Sequence, residues 1–243
     1  MAKFAILWFL SLFFCACSYL NLQQAIDTSQ NIQSSLSVPG TGVYAKGVQD
    51  TLALSGRRAA DTLSQTGGFS NSARYYINMP QELQQITSTL RTLGLGGYIE
   101  TLEQQMNDAA ELASAEAKGV FLQAVSQMSV QDALGILRGG DNAATDYFRA
   151  TTEGTLRDKY TPIVKKQLSR VGFYQEFSQF RELYQSVPIA KKPSLNLEQH
   201  VVNKSLAALF DRISIEEAQI RAAPLERGTE FLAKVFAAAR SSR

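Results

Sequence analysis

Cysteine is almost missing from this sequence, and its two copies, Cys15 and Cys17, both lie within the first seventeen residues. The remainder of the chain therefore has no disulfide, no thiol nucleophile and no cysteine-based metal site. Histidine is equally scarce. His200 is the single copy, which excludes a histidine-cluster zinc site and would force any Ser-His-Asp arrangement to be built around that one residue. There is no excess of one charge. Twenty-four Lys and Arg face twenty-two Asp and Glu, spread along the chain, so the concentrated basic stripe of a nucleic-acid binder is absent and no nucleic-acid partner is expected. Long apolar runs are also few: the main one, Phe4 to Ala16, falls short of the roughly 20 residues of a bilayer-spanning helix. What the chain does hold is 45% hydrophobic residues over 243 positions, ample for a buried core.

Lys3 followed by the apolar run Phe4 to Ala16 has the form of a signal peptide that is removed after export. At its end stand Phe14, Cys15, Ala16 and Cys17, a bulky residue, two small ones and a cysteine. This resembles the lipobox of bacterial lipoproteins, with Cys17 as the lipidated residue; Cys15 fits less well because Phe14 would precede the cut. An ordinary secretory signal with an incidental cysteine is the plain alternative. Ser18 after the cysteine, by resemblance to lipoproteins of two-membrane bacteria, implies delivery to the periplasmic side of the outer membrane. A diacylated cysteine with a further amide-linked chain buries tens of CH₂ groups at ~0.8 kcal/mol each, so the anchor needs no second membrane signal. The expected layout is a signal peptide over 1–16, a lipidated N-terminus and tether over 17–42, and a folded domain over 43–243.

The domain shows apolar residues at spacings of three and four and almost no strict alternation, which predicts an all-α fold: a single compact multi-helix bundle with short loops. A helix is expected from Gly97 to about Lys118, with Ile99, Leu102, Met106, Ala109, Ala113 and Ala117 on one stripe and Glu100, Glu103, Asn107 and Glu111 beside it. A shorter helix opens at Ser129 and ends at Arg138, where Gly139 and Gly140 supply a turn. Asp141 is expected to cap the next helix by accepting from the N–H of Ala143 or Ala144, and Thr161-Pro162 to start another. Gly172 separates the stripe Val164, Leu168, Val171 from the stripe Phe173, Phe177, Phe180, Tyr184, Val187, predicting a break. Asn196 with Gln199 opens a long helix carrying Val202, Leu206, Leu209, Ile213 and Ile220 inward, and Pro224 begins the last, with Leu232, Val235 and Ala239 facing the core. Gly67 to Met79 is the one irregular stretch.

The segments GGFSNSARYYINMP, QELQQITSTLRTLG, MNDAAELA and MSVQDALGILRGGDNAATDYFRATTEGTLRDKYTPIV, with KSLAALFDRISIEEAQIRAAPLERGTEFLAKVF, resemble the bacterial family known as domain of unknown function 4197. The resemblance covers nearly the whole domain from Val43 onward. It implies an exported, often lipidated helical protein and no assigned activity. Asn142 and Ala223 depart from the family pattern, where Asp and Asn are common.

Asn107, Glu111, Asp132, Arg138, Asp141, Asp146 and Arg149 form the densest polar constellation, drawn from three consecutive helices that could meet at the Gly139-Gly140 turn. They are candidates for a ligand or metal site, with the carboxylates as hard oxygen ligands or as an acid/base pair, while helix capping and ion pairing alone would also account for the residues around Asp141. Phe173, Tyr174, Phe177, Phe180 and Tyr184 could line an apolar groove, with core packing as the default. His200 reads as a partly exposed helix residue. Neither a cofactor nor a metal is expected. The leading expectation is a non-catalytic binding or scaffolding lipoprotein, attached to the membrane by its lipid and binding an envelope protein or small ligand. The alternatives are a carboxylate-based or metal-dependent enzyme at the Gly139-Gly140-Asp141 turn and an apolar-ligand carrier.

Overall fold

The computed structural model describes residues 41–129, 136, 140–186, 195–227 and 229–241. Its α-helices are α1 (Thr41–Leu63), α2 (Gln84–Thr92), α3 (Gly96–Ser126), α4 (Ala143–Arg170), α5 (Phe173–Ser186), α6 (Leu197–Ala222), the single turn α7 (Pro224–Arg227) and α8 (Glu230–Ser241), with a 3₁₀ turn at Gln81–Leu83. Among the described residues there is no strand, as the spacing of apolar residues predicted. None of these helices is long and apolar enough to cross a membrane.

Four helices form the bundle. α1 packs on α3, α3 on α4, α4 on α6, and α6 back on α1. Cross-contacts fix the directions. Lys118 of α3 pairs with Asp61 of α1 at 2.6 Å while Gln49, near the start of α1, donates to the carbonyl of Met128 beyond the end of α3; the two helices run antiparallel. The rings of Phe121 and Phe148 meet edge-on at 4.9 Å, and Lys166, near the end of α4, pairs with Glu116, so α3 and α4 are antiparallel too. α4 and α6 repeat the relation, with Thr145 against Glu217 at one end and Arg157 against Asn203 at the other. The result is up-down-up-down packing, with short helices α2 and α5 laid on α3 and α8 laid on α1.

The expected stripe of α3 is inward: Ile99, Leu102, Met106, Ala109, Ala113 and Ala117 are all buried. α3 runs two turns past Lys118, because Phe121 and Val125 continue the stripe and are buried as well. Small residues set the closest approach. An added Cβ on Gly56 of α1 would stand 2.0 Å from Cε1 of Phe121, inside a core packed to crystal density. Gly56→Ala is therefore expected to destabilise the domain by roughly 2 kcal/mol although alanine is the better helix former. Chemical denaturation measures this, and pairing it with Phe121→Leu should recover part of the loss.

Two expectations about helix ends hold. Gly172 takes φ +81 between α4 and α5, and the Asn196 side chain accepts from the N–H of Gln199 at 3.0 Å to open α6. Leu232 and Val235 of α8 face the core; α8 itself begins at Glu230, after the separate turn that starts at Pro224. Two other expectations fail. Pro162 starts no helix; it lies inside α4, which continues unbroken to Arg170. Interior proline costs about 3 kcal/mol through a missing N–H and a carbonyl clash. Leu156, Tyr160, Val164 and Leu168 form one buried stripe across it, and that burial outweighs the cost. The second failure, at Asp141, belongs with the site.

Candidate functional site

α1 stops at Leu63, well before the far ends of α3 and α6, and the missing length of this wall is filled by non-helical chain from Ser64 to Pro80. Such a strap has backbone groups with no ladder to satisfy them, and burial makes each unpaired one costly. Side chains from the neighbouring helices supply the partners. Oε1 of Glu111 accepts from the N–H groups of Gly67, Phe69 and Ser70 and from the Ser70 hydroxyl, at 2.9–3.1 Å. One turn back, Asn107 makes a two-way pair with Ile77, accepting from its N–H at 2.8 Å and donating to its carbonyl at 3.0 Å. Another turn back, Glu103 accepts from the N–H of Met79 at 2.8 Å. The spacing of four places all three on one face of α3, and each is at least nine-tenths buried. Phe69 and Ile77, both fully buried, pin the strap into the core.

α6 holds the other edge. Asp211 takes both arms of Arg74 at 2.7 and 2.8 Å and the Tyr75 hydroxyl at 2.9 Å. Arg74 holds the Asp211 carboxyl below its usual range, and burial together with Asp211 pushes Tyr75 up to about 12. The ring of His200 bonds through Nε2 to the carbonyl of Asn78 at 2.9 Å. Burial lowers the His200 pKa, so the neutral ring, with Nε2–H as donor, is the favoured form.

These contacts separate the predicted constellation. Asn107 and Glu111 face the strap. Asp141 and Asp146 are exposed at the start of α4. Asp132, Arg138 and Gly139 lie outside the described residues, and Gly140 has no positive φ. Asp141 is not the cap: the N-cap of α4 is Asn142, without a side-chain cap bond. The freed amides are met from across the bundle. Glu217 of α6 accepts from the N–H of Ala144 at 3.1 Å through Oε1, and from the N–H and hydroxyl of Thr145 at 2.8 and 2.5 Å through Oε2. Arg221, one turn on, donates to the same Oε1 at 2.7 Å. A buried carboxylate at a helix N-terminus answers both the orphan amides and the positive end of the dipole. Arg149 stands apart from these carboxylates. Its guanidinium lies 4.8 Å above the Phe210 ring, and its Nε is buried without an acceptor.

Glu103, Glu216 and Glu217 went unrecognised as candidate residues. A signal for two of them existed: in the otherwise apolar stripe of α6, Glu216 and Glu217 stand four residues from Arg212 and Arg221, and both pairs form, at 2.6 and 2.7 Å. Most of the aromatic series packs inward, whereas Tyr174 is exposed and donates its hydroxyl to Glu198 at 2.8 Å. Phe173, Phe180 and Tyr184 are buried, with Phe173 stacked on Phe177 at 5.3 Å. Among the described residues no three His, Cys, Asp or Glu side chains gather where they could hold a metal ion.

No curated protein and no solved structure matches the chain. The family model described as "Protein of unknown function (DUF4197)" matches residues 40–237, which span the strap, all four bundle helices and the Glu217 cap, and the chain belongs to that family.

Proposed function

We propose that this chain is a cell-envelope lipoprotein, held at the outer membrane by a lipid on Cys17, whose helical domain works by binding an envelope protein or a small ligand and not by catalysis. The observation that carries the second half is the commitment of Glu111. Its Oε1 already accepts four donors from the strap, so acid/base work there would need the strap to leave first. Asp141 and Asp146, its partners in the enzyme alternative, are exposed at the head of α4, away from the strap that Glu111 holds. For the anchor, support comes from the apolar run and the Ala16-Cys17 junction.

Metabolic labelling with a fatty acid tests the anchor: Cys17→Ser should abolish incorporation and Cys15→Ser should not. Label retained in the Cys17 variant would exclude that residue as the site. For binding, the purified chain should capture the same envelope component reproducibly. Substrate turnover abolished by a single carboxylate substitution would overturn the non-catalytic assignment.

A further inference from the structure

The strap from Ser64 to Pro80 closes the core in a way that leaves it separable. Its backbone–backbone bonds stay inside it, from Gly68 to Gln65, Asn71 to Gly67, Ser72 to Phe69 and Tyr76 to Ser72, and among the described residues none reaches α3 or α6. Opening it therefore breaks no rung of any helix. Its hydrogen bonds to α3 run through Glu103, Asn107 and Glu111, which engage main-chain N–H and C=O groups and, besides these, only the Ser70 hydroxyl. The three span about 12 Å of one helix face. Glu111 is a buried carboxylate that makes no ion pair with any described residue; the donors that satisfy it belong to the strap. As a plain wall this is the costlier arrangement, because apolar residues fill a core without desolvating a charge. As a face that changes occupants it makes sense. When the strap lifts, Glu103, Asn107 and Glu111 hydrate, where an apolar stripe would be left sticky, and within the strap only Phe69 and Ile77 give up full burial. Polar side chains aimed at main chain, beside two places for apolar anchors, are what a peptide-binding groove consists of.

We propose that the strap is an autoinhibitory latch: it opens as one unit while the four-helix bundle stays folded, and the α3 face beneath it then receives a peptide segment of a partner protein. That segment takes over the main-chain bonds to Glu103, Asn107 and Glu111 and seats two apolar side chains, eight residues apart, where Phe69 and Ile77 now lie. The strap is the groove's own occupant and excludes weak competitors. On the other edge, Asp211 and His200 of α6 keep the latch shut through Arg74, Tyr75 and Asn78. The inference rests on the binding role proposed above and names its occupant as a protein segment.

Two measurements on the full chain in a neutral detergent test it. In native-state hydrogen exchange the amides of Phe69, Ser70, Ile77 and Met79 should open together, with protection at least roughly a hundredfold below that of the amides of buried Phe148 and Tyr160 in α4. A fluorescent peptide carrying residues 64–80 should bind the double variant Phe69→Ala with Ile77→Ala, whose own strap has lost its anchors, at least roughly tenfold more tightly than it binds the wild type, which keeps its competitor in place. A scrambled peptide should bind neither. Should the double variant fail to fold, Ile77→Ala alone carries the peptide comparison. Strap amides that exchange only together with those of α4, in global unfolding, overturn the latch. So does a peptide that binds the folded variant no better than the wild type. Reproducible capture of an envelope component by a chain whose strap does not open would remove this inference and leave the binding role standing.

Discussion

Glu111→Ala should release the strap. The substitution deletes the single oxygen that satisfies three backbone N–H groups and the Ser70 hydroxyl, and leaves them without that acceptor beside buried Phe69. Each hydrogen bond to a charged group contributes about 1.5–3 kcal/mol, and orphaned buried donors carry a further penalty. A loss of about 3–5 kcal/mol is expected, which for a domain of this size lowers the melting temperature by roughly 10 °C. Hydrogen exchange gives the local readout: the amides of Gly67, Phe69 and Ser70 should lose protection while those in the middle of α4 keep theirs. Glu111→Gln makes the sharper test. All four donors converge on Oε1, so the amide oxygen of glutamine can take that place, and only the charge is lost. Most of the stability should return. A glutamine variant as damaged as the alanine one would show that the strap needs the charge of Glu111 and not merely an acceptor.

Glu217 should behave in the opposite way. Its two oxygens are both occupied, Oε1 by Ala144 and Arg221 and Oε2 by the two Thr145 donors. Glutamine would turn an NH₂ group toward donors on one side or the other, so Glu217→Gln should cost nearly as much as Glu217→Ala. The expected loss is about 3–5 kcal/mol, because Arg221, mostly buried, loses its ion pair with Glu217 and the first turn of α4 loses its acceptors. Removing Arg221 as well, in Glu217→Leu with Arg221→Met, should recover part of it. Asp141→Ala, by contrast, should be close to neutral, since that side chain is exposed and caps nothing. Denaturant unfolding of the series decides the matter. A large loss for Asp141→Ala with little for Glu217→Gln would place the cap of α4 back on the local residue.

The Gln comparison at these two positions bears on why neither role was legible in the chain. Glu111 reads, in sequence, as one of four polar residues beside an apolar stripe, which is the ordinary appearance of a solvated helix face. It is buried because the strap, more than forty residues earlier, brings its own unpaired amides to that face. The expectation of a cluster at the Gly139-Gly140 turn assumed that polar residues from consecutive helices converge on the loop joining them. They do not here, since α3 shows its polar stripe to the chain that precedes it. Asp141 carries the local signature of a cap, and local signatures compete with whatever a distant helix can offer. Glu217 offers a charged, bidentate acceptor that is fully buried, where the field of the helix end is least screened.

The features that sequence alone determined are those set within one or two helical turns. Apolar spacing specified helices and their inward faces, because a 3.6-residue repeat leaves one stripe to bury. Glycine at 172 specified a break, because positive φ excludes most other side chains. Asn196 specified a start, because its acceptor is three residues from the amide it serves. Tertiary structure decided the rest: that α4 passes through Pro162, that non-helical chain completes the wall left open by α1, that Glu217 caps α4, and that Arg149 rests on the Phe210 ring. Each of these balances a local cost or preference against burial or charge supplied from tens of residues away, and no periodicity within a segment records what will be packed against it.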